Sequence, residues 1–176
     1  MQIRTQRLVL RQPALADAAR ISLLAGDYDV ACMTGTIPHP YSEQMAAEWL
    51  ADVLNGEEGV VFMIERDGLM VGCTGYRAFD DDHAELGYWI GKPYWGHGYA
   101  TEAARALIAH AFDADGFAYL RAGHFTDNPG SERILRKLGF VASGEERRDC
   151  AARGEAVHCF TYRLDRAQAL ANLRWP

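Results

Sequence analysis

Gly91-Lys92-Pro93-Tyr94-Trp95-Gly96-His97-Gly98-Tyr99-Ala100-Thr101-Glu102-Ala103 is the stretch that decides the fold of this 176-residue chain. It joins an apolar strand pattern to an amphipathic helix pattern through a turn punctuated by Gly96 and Gly98. A side chain at either glycine would hold a ligand away from the backbone, and glycine also takes the φ > 0 conformations that let successive N–H groups converge. The residues that follow begin a helix, whose free first-turn N–H groups and dipole favour a phosphate or pyrophosphate. Trp95, Gly96, His97, Gly98, Tyr99, Ala100 and Thr101 are therefore expected to form an anion cradle. The stretch lacks the Lys-Ser/Thr pair that a P-loop needs for phosphoryl transfer. Its G-x-G-x-A spacing with aromatic flanks also fits a Rossmann turn poorly.

Outward from this turn, Ala84 to Ile90 forms the entering strand, and Ala100, Ala103, Ala104, Leu107, Ile108, Ala111 and Phe112 make a wide helical stripe ending near Gly116. Tyr119 to Phe125 is the next strand, so the turn sits inside a β-α-β unit. Asn128 is placed to cap a short helix with Pro129 at its first position, stopping at Gly139. Val141 to Arg148 and Val157 to Leu164 follow as a closing hairpin, then a short tail. Upstream, Leu8 and Leu10 alternate with polar residues in a strand that ends at Gln12-Pro13, and a helix runs through Ala18, Ile21 and Ala25. Ser42 caps a second helix with Ala46, Trp49, Leu50, Val53 and Leu54 on one face. Val60 to Glu65 and Leu69 to Phe79 form a hairpin around Asp67-Gly68. Asp80-Asp81-Asp82 is a solvated turn, without the downstream ligands of a calcium loop.

Four places together resemble the GNAT superfamily of acyl-CoA N-acyltransferases, most closely its Rim-type branch of ribosomal-protein N-terminal acetyltransferases. They are Thr5-Gln6-Arg7-Leu8-Val9-Leu10-Arg11, Ala84-Glu85-Leu86-Gly87-Tyr88-Trp89-Ile90, the glycine turn, and Asn128-Pro129-Gly130-Ser131 running to Lys137-Leu138-Gly139-Phe140. Two positions depart from the wider pattern: Trp95 opens the turn where Gln or Arg is usual, and Leu135 stands where many members carry a Tyr. The resemblance implies an α/β (α+β) fold with a mixed, largely antiparallel sheet of six to seven strands and helices on both faces. It implies one domain over 1–176, with a core of about 5–164. It further implies that acetyl-CoA is the acetyl donor, wedged between two splayed strands. The backbone of Tyr88, Trp89 and Ile90 would pair with the pantetheine arm, with Asn128 nearby. Glu85 would take a proton from the attacking amine, and Ser131 would donate a hydrogen bond to the departing thiolate. His39 and Tyr41, in the turn-rich loop Gly35 to Tyr41, are candidates for the acceptor pocket.

Composition narrows the partners. A formal charge of −6 argues against nucleic acid, whose binders show a basic face. No apolar run approaches membrane-spanning length and no leader-like segment opens the chain, so no membrane partner and a cytoplasmic location are expected. The four cysteines show no CxxC spacing, and no disulfide is expected even where Cys150 and Cys159 flank a hairpin turn. The six histidines lack the spacing of a zinc helix, so no metal is expected. The oligomeric state stays open, a homodimer included.

The acceptor can be narrowed by energetics. Keeping a peptide α-amine (pKa about 7.7–8.0) neutral at pH 7 costs about 1 kcal/mol, whereas a lysine ε-amine costs roughly 4.6 kcal/mol. A single carboxylate suits the first task, so a protein or peptide N-terminal α-amine is the expected acceptor. The alternatives are a small-molecule amine (an antibiotic, polyamine or amino acid) and a non-catalytic acyl-CoA-binding module.

Overall fold

The computed structural model describes residues 1–172. Its eight strands are β1 (Gln2–Arg4), β2 (Val9–Arg11), β3 (Val60–Arg66), β4 (Leu69–Ala78), β5 (His83–Ile90), β6 (Tyr119–Phe125), β7 (Val141–Cys150) and β8 (Glu155–Asp165). They form one sheet in the order β1-β2-β3-β4-β5-β6-β8-β7. Every neighbouring pair is antiparallel except β5 and β6. The sheet exceeds the expected six to seven strands because β1, only three residues long, adds to β2 at the edge. Its Gln2-Ile3-Arg4 is too short for any periodicity to register.

Among the described residues there are six α-helices: α1 (Ala18–Ala25), α2 (Tyr28–Ala31), α3 (Glu43–Leu54), α4 (Tyr99–Ala114), α5 (Pro129–Lys137) and α6 (Arg166–Asn172). The expected C-terminal tail is thus helical through Asn172, and the rest of it lies outside the described residues. On one face, Ala18, Ile21, Ala25, Ala46 and Leu50 of α1 and α3 pack on Met63, Met70 and Cys73. On the other, the α4 stripe of Ala103, Ala104, Leu107, Ile108, Ala111 and Phe112 joins Leu135 and Leu138 over Phe62, Ile64, Leu86 and Leu120. Helices therefore cover both faces. Leu54, expected on the buried face of α3, is 52% exposed at the last turn, where the helix leaves the sheet. No helix among the described residues is long and apolar enough to cross a membrane.

One break in the sheet positions everything that follows. β5 and β6 pair only at His83–Tyr119, Ala84–Leu120 and Glu85–Arg121. Beyond Glu85, β5 keeps its partner β4 and β6 keeps its partner β8, so the two strands part.

Candidate active site

The parting opens a cavity of about 1270 Å³ that reaches both faces of the sheet. On the α4 and α5 side it is lined by Tyr88, Gly96, Gly98, Tyr99, Ala100, Thr101, Asn128 and Ser131. On the α1 and α3 side it is lined by Tyr41, Trp49, Glu85, Gly87, Trp89 and Arg148.

The turn has the geometry its glycines allow. Gly96 and Gly98 sit at φ of 79° and 78°, in the left-handed region that a Cβ disfavours. No side chain caps α4, so its first-turn N–H groups are left for a ligand. The Trp95 indole N–H donates to the Ile90 carbonyl at 2.7 Å and pins the turn to the end of β5. The His97 ring folds back on the Trp95 carbonyl, 2.9 Å away, and stacks on Tyr99. Thr5-Gln6-Arg7 secures the turn from outside. Thr5 Oγ1, Arg7 N and Arg7 Nε donate to the Glu102 carboxylate, and Arg7 Nη1 donates to the His97 carbonyl at 3.0 Å. Burial works against the Glu102 charge, but these hydrogen bonds outweigh it and hold the carboxyl below its ordinary value.

Tyr88 and Ser131 meet across the cavity, their hydroxyl oxygens 2.8 Å apart. Asn128 Oδ1 accepts from the Ser131 backbone N–H, so the helix cap fixes where that serine stands. Burial pushes the Tyr88 hydroxyl up to about 12, with the Ser131 bond opposing it, so the phenol stays protonated at neutral pH.

Glu85 stands at the apex, the last β5 residue paired with β6. Both of its carboxylate oxygens accept from the Arg148 guanidinium, whose Nε in turn donates to Glu146. Burial disfavours the Arg148 charge, yet the bonds to Glu85 and Glu146 more than offset it and raise the guanidinium above its ordinary value. Tyr41 lines the cavity on the α1 and α3 side, its hydroxyl pushed up to about 12 by burial. His39 is not brought to the cavity: it is exposed, with Nδ1 3.0 Å from the Gly26 carbonyl and its ring edge-on to Tyr28. The loop turns His39 outward and Tyr41 inward.

Several residues escaped the sequence reading. Arg148 lies on β7, remote in sequence from Glu85, and nothing local marks it as a partner. Arg133 and Lys137 line the cavity near the turn, and their spacing on α5 was a signal available to find them. His124 is buried against the cavity, with Nδ1 2.8 Å from the Phe125 carbonyl and Nε2 3.2 Å from the Tyr162 hydroxyl. Arg153, at the tip joining β7 to β8, donates to the Cys32 carbonyl at 2.8 Å and forks onto Asp127. It thereby ties the loop after α2 to the loop after β6. All four cysteines are free and buried. Among the described residues no three side chains group as a metal site.

The family model described as Acetyltransferase (GNAT) domain matches residues 7–141. The chain is 31% identical over 148 residues to the uncharacterized N-acetyltransferase YoaA of Bacillus subtilis, covering 81% of this chain and 84% of that protein. It is 27% identical over 86 residues to the ribosomal-protein-serine acetyltransferase of Escherichia coli, covering 48% of each. The fold is similar to that of Mycobacterium smegmatis RimJ in complex with a CoA-disulfide, with a TM-score of 0.79 at 21% identity over 93% of this chain and 84% of that one. With the splayed sheet and the glycine turn, this match over most of its length shows that the chain belongs to the GNAT family of N-acetyltransferases.

Proposed function

We propose that this N-acetyltransferase uses acetyl-CoA and delivers the acetyl group to a primary amine, specifically the α-amine of a protein or peptide N-terminus. The observation that carries this reading is the polarity of the cavity. Its α4 and α5 end offers an uncapped helix start with Arg133 and Lys137, suited to the phosphates of coenzyme A. Its opposite end carries Glu48 and Asp52 beside two ion-paired carboxylates, Glu58 with Arg77 and Glu85 with Arg148, a net negative wall suited to a cationic amine before it loses its proton. The fold likeness to a CoA-bound neighbour and the name of the Escherichia coli relative support the donor and acceptor respectively.

The chain's residues divide the work accordingly. Backbone N–H groups of Tyr88 to Ile90 in β5, left without a β6 partner, hydrogen-bond the bound donor and polarise its thioester carbonyl. Glu85 accepts a proton from the attacking amine, directly or through water, while Arg148 holds its carboxylate toward the apex. As the new C–N bond forms and the C–S bond breaks, the Tyr88–Ser131 hydroxyl pair donates a hydrogen bond to the departing thiolate, which takes its proton from solvent. A thiol with an ordinary pKa of about 8.5 leaves readily, so this help is modest.

The test is incubation with acetyl-CoA and a peptide carrying both a free N-terminus and an internal lysine. Mass spectrometry should locate the acetyl group on the α-amine. Predominant ε-acetylation overturns the acceptor assignment. Rapid turnover of small amines with no peptide modified replaces it with the small-molecule reading.

A further inference from the structure

Gly87 is a glycine that the fold does not require. Glycine in the middle of a strand forfeits packing and costs conformational entropy, and normally marks a bulge or a close backbone approach. Gly87 has neither excuse within the protein. Its φ is outside the left-handed region, it pairs in regular register with Gly75, and a Cβ placed on it would meet no atom within 4 Å. Most of the other glycines outside that region are accounted for by their surroundings. A Cβ on Gly75 would lie 2.6 Å from the Val60 carbonyl oxygen, and one on Gly123 would lie 2.9 Å from Cys159 Sγ. Gly87 alone among them faces open space.

That open space belongs to the cavity. Directly paired residues of β4 and β5 share a face, so Cys73 and Trp89, Gly75 and Gly87, and Arg77 and Glu85 form three successive rungs on the α1 and α3 side. The middle rung has no side chains. It is a trough floored by backbone, walled by Trp89 at one end and by the Arg148-clamped Glu85 at the other. An amine that delivers its proton directly to Glu85 would set its own carbon over that floor.

We infer that Gly87 is a specificity-determining residue, and that its missing side chain makes room for a substituent on the amine-bearing carbon of the acceptor. This rests on the reading of the cavity as an acceptor site and deepens it. An N-terminal α-carbon carries a side chain and a carbonyl, whereas the ε-carbon of lysine is an unbranched methylene. Trp89 and Glu85 leave lateral room for such a branch only because the intervening position has no Cβ.

The experiment uses Gly87→Ala and Gly87→Val, whose Cβ meets no neighbour within 4 Å. The probes are two matched pairs: a peptide beginning with Gly against the same peptide beginning with Ser, and ethanolamine against 2-aminopropan-1-ol. The variants should melt no lower than the parent and bind acetyl-CoA with unchanged affinity in calorimetry. Relative to the unbranched partner, kcat/KM for the branched one should fall about tenfold or more, as expected when a pocket loses a methyl's worth of room. Equal losses for both members of a pair overturn the inference, and so does a parallel loss of acetyl-CoA affinity. Should the parent acetylate none of the four probes, the proposed acceptor fails on its own, and Gly87→Cys still decides this point. The native cysteines are buried, so a small methanethiosulfonate should label the variant faster than the parent, at a rate unaltered by acetyl-CoA. Labelling no faster than in the parent, or protection by acetyl-CoA, overturns it.

Discussion

The two ends of the cavity are built by opposite strategies. The glycine turn proposed as the donor cradle is a contiguous run from Trp95 to Thr101, shaped by two left-handed glycines and the start of α4. The wall proposed for the acceptor draws Tyr41, Trp49, the β4–β5 trough, Arg148 and the Arg153 tie from segments scattered along the chain. The first presents mainly backbone, the second mainly side chains. A backbone site is specified by local conformation, so a few residues suffice to write it. A side-chain wall exists only after the sheet has brought remote positions together.

That contrast can be broken most severely at Gly98. Gly98→Val forces a β-branched residue into φ near +78° and puts bulk beside Arg7 Nη2, 3.5 Å from the new Cβ. Left-handed backbone costs roughly 1–2 kcal/mol of folding stability, while blocking the approach to the backbone should lower acetyl-CoA affinity about a hundredfold. Calorimetric titration of the folded variant is the check, and unchanged affinity would detach the turn from the donor.

On the acceptor side, Glu85→Gln should leave acetyl-CoA binding intact and lower turnover by about tenfold, the small cost expected for an α-amine acceptor. The deficit should shrink as pH rises and the amine loses its proton unaided. A pH profile parallel to the parent's would remove Glu85 as the base.

The two fastenings offer a gentler contrast. Glu102→Gln weakens the hold of Thr5 and Arg7 on the cradle and should cost about 1–2 kcal/mol of stability, read by denaturant unfolding. Because the folded Glu102 carboxyl is held below its ordinary 4.5, its contribution is present above that pH and lost as pH falls further. The variant should therefore show less acid sensitivity than the parent just below pH 4.5. Arg153→Ala releases the opposite fastening, and should raise acceptor KM about fivefold with donor affinity unchanged. A shift in donor affinity instead would show the two ends to be coupled. Smallest of all, Ser131→Ala should slow turnover about threefold, since the thiolate leaves readily and Tyr88 keeps its proton.

How legible each part was follows from this division. The β-α-β unit, the Asn128 cap, the α4 stripe and the hairpin at Asp67-Gly68 are local patterns, and the structure contains each of them. β1 and α2 went unforeseen because three or four residues carry no detectable period. Glu85 was legible as a motif residue, but its clamp by Arg148 was not, since the pair spans 63 positions and depends on how β7 folds back beside β8. His39 and Tyr41 looked equivalent in the loop, and only packing against α1 and α3 separated an exposed ring from one lining the cavity.

The sequence by itself determined the family, the glycine turn and the order of the elements, because glycine conformation, helix capping and hydrophobic period act over a few residues. Tertiary structure alone decided where β5 and β6 part, which charges face Glu85, and that Gly87 looks onto empty space. Those depend on strand register and on contacts between distant segments, which no local pattern encodes.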